Sequence, residues 1–311
     1  MNGRLGPRTL VAGDLEATFL PDRGMLGASL RHRGAELLRR VEDLDAAAAK
    51  GSTAGIPLLH PWANRLDGLR YRAAGREVTL DPGSPLLHLD GRGLPIHGVP
   101  WARLAWEVTA SAPDRLAARL DWSRPELLAI FPFPHRLDLV AALGPGDLRI
   151  EATLTAGHEG PVPAAFGFHP YFGLPSVPRP AWRLELPAMR RLDLDGRGIP
   201  TGADAPFAAF DAPLADLAFD DGLALSGPAA TFAISGGGLR IAVDLLEGYP
   251  YAQVFAPKGQ AFVALEPMTA PCNALVSGRG LRLVGPGDAL RAVFRVRIEP
   301  DGPPVVRSAG R

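Results

Sequence analysis

The chain has 311 residues, with 33 Lys+Arg against 33 Asp+Glu and a formal net charge of zero. No basic excess is offered to a polyanion, so a nucleic-acid partner is not indicated, and 47% hydrophobic with 21% charged residues does not fit a disordered chain. Gly (36) and Pro (32) are abundant without a period, which excludes collagen and reads as turns between short strands.

The first stretch with helical character is residues 36–47. Residues 69–73 and 76–80 flank Ala74 and Gly75 as a hairpin. Residues 104–110 and 115–122 alternate apolar and polar with period two, the mark of strands with one face in a core. A helical turn is expected over 125–129. Residues 135–143 and 148–154 flank a Gly-Pro-Gly-Asp turn as a second hairpin. Residues 231–235 and 239–246 flank three glycines as a third, and 290–298 alternates cleanly. No strand–helix–strand rhythm is present, so a parallel doubly wound sheet is not expected. The reading is all-β: one large antiparallel β-sandwich, a single domain over 1–311, with a frayed tail at 301–311.

Several chemistries lack their motifs. There is no P-loop, no dinucleotide-binding glycine pattern and no Gly-x-Ser-x-Gly. Cys272 is the one cysteine, which excludes an internal disulfide and a multi-cysteine zinc site. The seven histidines stand singly, and no metal is expected. Residues 1–10 carry charge without an apolar core, so no signal peptide is read there. No run approaches 18 apolar residues, so no membrane span is expected. The cytoplasm is the default compartment, and the oligomeric state stays open between monomer and weak dimer.

Five segments place polar residues in apolar surroundings. In 61–68, Asn64 and Arg65 sit in a loop, and an arginine there offers several donors in fixed geometry to an oxygen-rich ligand or to loop carbonyls. In 94–98, His97 precedes Gly98. In 164–172, His169 lies among aromatics, which disfavours the imidazolium unless a carboxylate is near. Phe168, Tyr171 and Phe172 offer flat faces to a sugar ring, or form a core cluster around a satisfied histidine. In 217–222, Asp220 and Asp221 are adjacent, so on an extended chain only one faces a given pocket. In 261–274, Glu266 ends an apolar strand, where an acid is costly unless paired or used as a base. Cys272 reads as an inert small side chain.

These segments, in this order, resemble the aldose 1-epimerase (galactose mutarotase) family. Asn64-Arg65 with Asp67-Gly68, Ile96-His97-Gly98, the Pro-rich run at 131–137, His169-Pro-Tyr171-Phe172 and Leu265-Glu266-Pro-Met each have a counterpart there. The resemblance runs to Ile298. It implies a β-sandwich of the galactose-mutarotase type that interconverts the α and β anomers of a free hexose by ring opening and closure. It casts Glu266 as general base and His169 as general acid. Arg65 and His97 become ligands of sugar hydroxyls, with Asn64 and Tyr171 beside them. Asp220, with Asp221 as the alternative, is a further hydroxyl ligand. A monosaccharide is the one partner, and no metal or organic cofactor is called for. The chain departs from the best-known members at Phe168, Pro170 and the segment after Glu266. A hexose-6-phosphate 1-epimerase and a non-catalytic sugar-binding module are the alternative readings. A glycoside hydrolase using Glu266 with Asp220 would leave His169 without a role.

Overall fold

The computed structural model describes residues 6–49 and 51–301. The tail expected to fray lies outside these residues except for Asp301. Strands dominate, and every strand pairing within the sheets is antiparallel. The larger sheet has nine strands and runs, edge to edge, from Phe210–Pro213 through Arg183–Leu186, Ala230–Gly236, Leu239–Glu247, Ala289–Pro300, Asp147–Ala156, His135–Leu143 and Arg115–Trp122 to Glu107–Ala112. The second runs from Pro200–Phe207 through Met189–Leu194, Phe219–Leu225, Tyr251–Ala256, Val263–Met268 and Gly167–Phe168 to Leu58–Leu59. A four-stranded N-terminal sheet and two hairpin-sized pairs complete the fold.

The alternation in the sequence is realised directly. His135–Leu143 buries every second side chain, as does Asp147–Ala156. Their inward residues join one apolar core that extends from Leu10 to Ile298. Phe168 of the second sheet meets Phe294 of the first at 5.1 Å between ring centroids, so the two sheets face each other across this core. The outward face of the nine-stranded sheet carries cross-strand ion pairs instead. Asp244 accepts from Arg295 at 2.9 Å and Arg297 at 2.7 Å, and Glu151 accepts from Arg291 at 2.6 Å. Val263–Met268 is buried on both faces, Glu266 included.

Two expectations need correction. The helix read over 36–47 is a short one, Leu44–Ala49. Glu36 belongs to a strand, and its carboxylate accepts from the backbone N–H groups of Leu30 and Leu38, which ties 36–38 into the N-terminal sheet. The helix starts only where Asp43 caps it, accepting from the N–H of Asp45 and Ala46. The strand read over 104–110 is Glu107–Ala112, an exposed edge preceded by a 3-10 turn at Trp101–Arg103. The helical turn near 125 is present as Pro125–Ile130, and the three hairpins stand where expected.

His60 and His135 form a buried pair in the core. His135 donates from Nδ1 to the Phe133 carbonyl at 2.6 Å and accepts at Nε2 from His60 Nε2 at 2.9 Å. Trp122 stacks on His135 and Phe131 closes the cage. Burial holds the His135 imidazole at about 4 and pushes His60 well below its usual range. The unfolded imidazole titrates near 6.5 and takes a proton the folded one refuses, so stability is lost as pH falls from 6.5 toward 4. For His135 alone the loss at pH 4 is about 3 kcal/mol. Urea unfolding at pH 7 and pH 4 checks this: His135→Phe should lose about that much less than the native chain, and an equal loss would refute it.

Candidate active site

The site is built on one face of the second sheet. In register, Glu266 on Val263–Met268 stands opposite Gln253 on Tyr251–Ala256, and Gln253 stands opposite Gly222 on Phe219–Leu225. Paired residues point to the same face, and so do residues two apart on one strand. Glu266, Gln253 and Asp220 therefore share a face, while Asp221 points to the other. Asp220 Oδ1 accepts from Gln253 Nε2 at 2.7 Å. Asp221 lies 3.7 Å from Arg191, away from the site. Of the two adjacent acids, Asp220 is the one beside Glu266.

Gly167 brings the histidine in. A Cβ at Gly167 would stand 2.6 Å from the Pro267 carbonyl oxygen, so only glycine lets Gly167–Phe168 lie against the strand of Glu266. His169 follows directly, with its N–H donating to the Pro57 carbonyl. Its Nε2 is 3.1 Å from Glu266 Oε1 and 3.1 Å from the Tyr171 hydroxyl. Glu266 is 2% exposed and His169 5%, so the pair is out of bulk water. Burial pushes the Glu266 carboxyl well above its usual range, with Asp220 adding to the rise and Arg65 opposing it. Burial and the neighbouring His97 push the His169 imidazole well below its usual range. Both shifts favour the neutral carboxylic acid and neutral imidazole, which hold the same one proton as the carboxylate–imidazolium pair.

Tyr171 does not offer its ring to a ligand as the sequence suggested. His169 stacks on it at 4.1 Å and 12°. Arg39 lies 5.5 Å from its centroid, and Phe262 packs edge-on. Its hydroxyl meets Thr53 Oγ1 as well as His169 Nε2. Tyr171 thus clamps the imidazole. Phe168 and Phe172 are also withdrawn into the core.

The opposite wall comes from two loops whose residues take left-handed backbone. His97 has φ 62° and Asn64 φ 58°. Gly98, at φ 66°, packs so tightly that a Cβ would lie 2.3 Å from the His60 carbonyl oxygen, which fixes the His97 loop against the Asn64 loop. His97 sits edge-on to His169, 5.5 Å between centroids, and burial among cations lowers its imidazole to about 3, so it is neutral. Arg65 donates from Nε to Asp90 Oδ2 at 2.7 Å, and Asn64 Oδ1 accepts from both the Arg65 N–H and its Nη1. The guanidinium is aimed by two side chains. The Nδ1 atoms of His97 and His169 are buried without a partner among the described residues. Asn273, also left-handed at φ 66°, supports the wall by accepting the Asp67 N–H.

The structure therefore brings Glu266, His169, Arg65, His97, Asp220 and Asn64 into one cluster, and Asn64, Arg65, Asp220 and Gln253 line a small recess at it. Cys272 borders it as a thiol: burial pushes it up to about 12, and its Sγ lies 3.4 Å from the Arg65 carbonyl oxygen it donates to. Sequence reasoning missed Gln253, which stands opposite Glu266 in register and donates to Asp220. Its signal was present as a lone amide in the apolar run Tyr251–Ala256. It also missed Asp90 and Thr53, whose surroundings in sequence carry no comparable contrast. Among the described residues no group of three or more potential ligands gathers to hold a metal ion, and no helix is long and apolar enough to cross a membrane.

Comparison with known proteins bears on the family and the fold. A search of curated proteins found no match. Among solved structures, a Synechocystis protein is 25% identical, with TM-score 0.78 over 96% of this chain and 97% of that one. A galactose mutarotase-like protein from Clostridium acetobutylicum is 18% identical, with TM-score 0.79 over 94% of each chain. An aldose epimerase homologue from C. elegans is 19% identical, with TM-score 0.78 over 96% and 99%. The family model for aldose 1-epimerase matches residues 26–297, the span that holds both sheets' central strands and every residue of the recess, and the chain belongs to that family.

Proposed function

We propose that this protein is an aldose 1-epimerase that interconverts the anomers of an aldose through a shared proton on Glu266 and His169. The observation that carries the reading is the buried 3.1 Å contact between Glu266 Oε1 and His169 Nε2, with Arg65 and Asp220 close enough to act on the carboxyl. A carboxylate and an imidazole in this relation supply the two proton movements that anomer exchange needs. Glu266 takes the proton from the C1 hydroxyl as His169 gives one to the ring oxygen. The C1–O5 bond breaks and C1 becomes an aldehyde carbonyl. Rotation about C1–C2 turns the other face of the carbonyl to the ring hydroxyl. Reclosure runs the same two transfers backward, and no proton is gained or lost overall.

The electrostatics match this cycle. Before the transfer the pair is carboxylate and imidazolium, the state that burial disfavours. After it the pair is neutral. The site therefore discharges itself as the ring opens, and the cost of holding two buried charges is relieved along the reaction. Tyr171 keeps the imidazole plane fixed throughout. Arg65, Asp220, Gln253 and His97 supply donors and acceptors of the kind ring hydroxyls need.

Polarimetry of freshly dissolved α-glucose and α-galactose tests the proposal. Protein at micromolar concentration should speed the approach to anomeric equilibrium well above the buffer rate. Sugar binding by calorimetry without any such acceleration would replace the epimerase reading by a binding module.

A further inference from the structure

The imidazole of His169 is fixed from one side only. Its Nδ1 is buried with no partner among the described residues, so nothing on that side decides which nitrogen carries the proton. The titratable and charged groups that face the ring are Glu266, His97, Tyr171 and, over the tyrosine ring, Arg39. In the cycle above Glu266 is committed to the C1 hydroxyl. His97 sits edge-on, 5.5 Å away between centroids. That leaves the Tyr171 hydroxyl as the protein group at Nε2, 3.1 Å from it, and on its other side stands the hydroxyl of Thr53.

Both hydroxyls are held in place by backbone. The Tyr171 N–H donates to the Gly55 carbonyl, the Gly55 N–H to the Arg39 carbonyl and the Arg39 N–H to the Tyr171 carbonyl, a closed ring of three bonds. Arg39 Nη1 donates to the Thr53 carbonyl at 3.1 Å, while its guanidinium lies 5.5 Å from the centre of the Tyr171 ring and 4.9 Å from that of Phe262. Thr53 is 9% exposed, and among the described residues its hydroxyl has no partner except Tyr171. It is free to accept from Tyr171 or to donate to it. Burial pushes the Tyr171 phenol far above its usual range, so it keeps its proton at any working pH.

We infer, on the epimerase reading above, that Thr53 is a positioning residue of the reaction: its hydroxyl, acting through that of Tyr171, keeps His169 Nε2 hydrogen-bonded both before and after the imidazole gives up its proton. A phenol has one proton and here faces two neighbours. While Nε2 is protonated, Tyr171 accepts on that side and points its own O–H at Thr53. Once the proton has gone to the ring oxygen, Tyr171 turns its O–H to the bare Nε2, and Thr53 donates into the phenol oxygen. Two O–H bonds rotate, and Thr53 and Tyr171 each keep their own proton. Neither half of the cycle then leaves a buried donor unpaired, which is what such a site tolerates least. Only a hydroxyl at 53 can take both parts.

Thr53→Val keeps the shape and removes both parts, whereas Thr53→Ser keeps them. Without Thr53, Tyr171 has no acceptor while Nε2 is protonated, so that state is the one penalised. In Thr53→Val, kcat for mutarotation of an aldose that the native chain turns over should fall about tenfold, with KM within about twofold. The imidazole also becomes harder to protonate, so the low-pH limb of kcat/KM should move down by about one pH unit. Thr53→Ser should recover most of the rate and the native profile. Tyr171→Phe should lose at least as much as Thr53→Val, and combining the two should add little, because Thr53 acts through that hydroxyl. Thermal unfolding checks that each variant is folded, and Thr53→Ala, with the same expected result, is read in place of a Thr53→Val that is not. A native rate and low-pH limb in the folded variant overturns the inference and leaves the epimerase intact. So does a loss in Thr53→Ser equal to that in Thr53→Val, or additive losses with Tyr171→Phe. If the native chain accelerates mutarotation of no aldose, the epimerase reading falls and the inference falls with it.

Discussion

Glu266→Gln should lower kcat for mutarotation by about 10²-fold or more while sugar still binds. Glutamine keeps the volume and the hydrogen-bonding reach of the side chain. It cannot take the proton from the C1 hydroxyl, so the interaction lost is one made only as the ring opens. The substitution suits a position that is 2% exposed, because no cavity is made and a buried ionisable group is removed. The folded protein should be as stable as before or more so. Polarimetry gives the rate, calorimetry the affinity and thermal unfolding the fold. A near-normal rate in the folded variant would end the assignment of Glu266 as the base.

His169→Asn should reduce kcat by a similar factor, and the native pH profile of kcat/KM should be bell-shaped. At low pH both groups hold protons and nothing accepts from C1–OH. At high pH neither does and nothing reaches the ring oxygen. Burial holds the imidazole below its ordinary 6.5 and the carboxyl above its ordinary 4.5. The two limbs belong to the pair and not to either residue, since one proton is shared across 3.1 Å. Each single variant should abolish the bell, and the double variant should be little worse than the poorer single, because neither group works without the other. Additive losses would mean that the two act independently.

The fold and the two central residues were legible in the sequence for the same reason. A strand with one wet face writes its alternation into the chain, as His135–Leu143 and Asp147–Ala156 do. A charge in an apolar run, as at Glu266, breaks that pattern audibly. Alternation also dictates that Asp220 and Asp221 diverge, and the register with Gln253 decides between them. The residues that were missed act through distance in sequence. Asp90 orients Arg65 from 25 positions away, and Thr53 reaches Tyr171 across 118. Nothing local marks either. Tyr171 was misread because a flat aromatic face is the same in sequence whether a sugar or a histidine covers it. The helix over 36–47 was overextended because composition does not reveal that the Glu36 carboxylate is already engaged in a sheet.

The left-handed backbone at Asn64, His97 and Asn273 bears on how this chain drifts under selection. Asparagine tolerates that conformation, but for a histidine it costs of order 1–2 kcal/mol relative to glycine. A glycine at 97 would stabilise the loop, and two base changes would supply it. A lineage that kept the fold and gave up turnover would have every reason to make that exchange and none to reverse it. Among relatives with this architecture, a histidine retained at this bend is therefore a mark of a working pocket, because stability alone would have erased it.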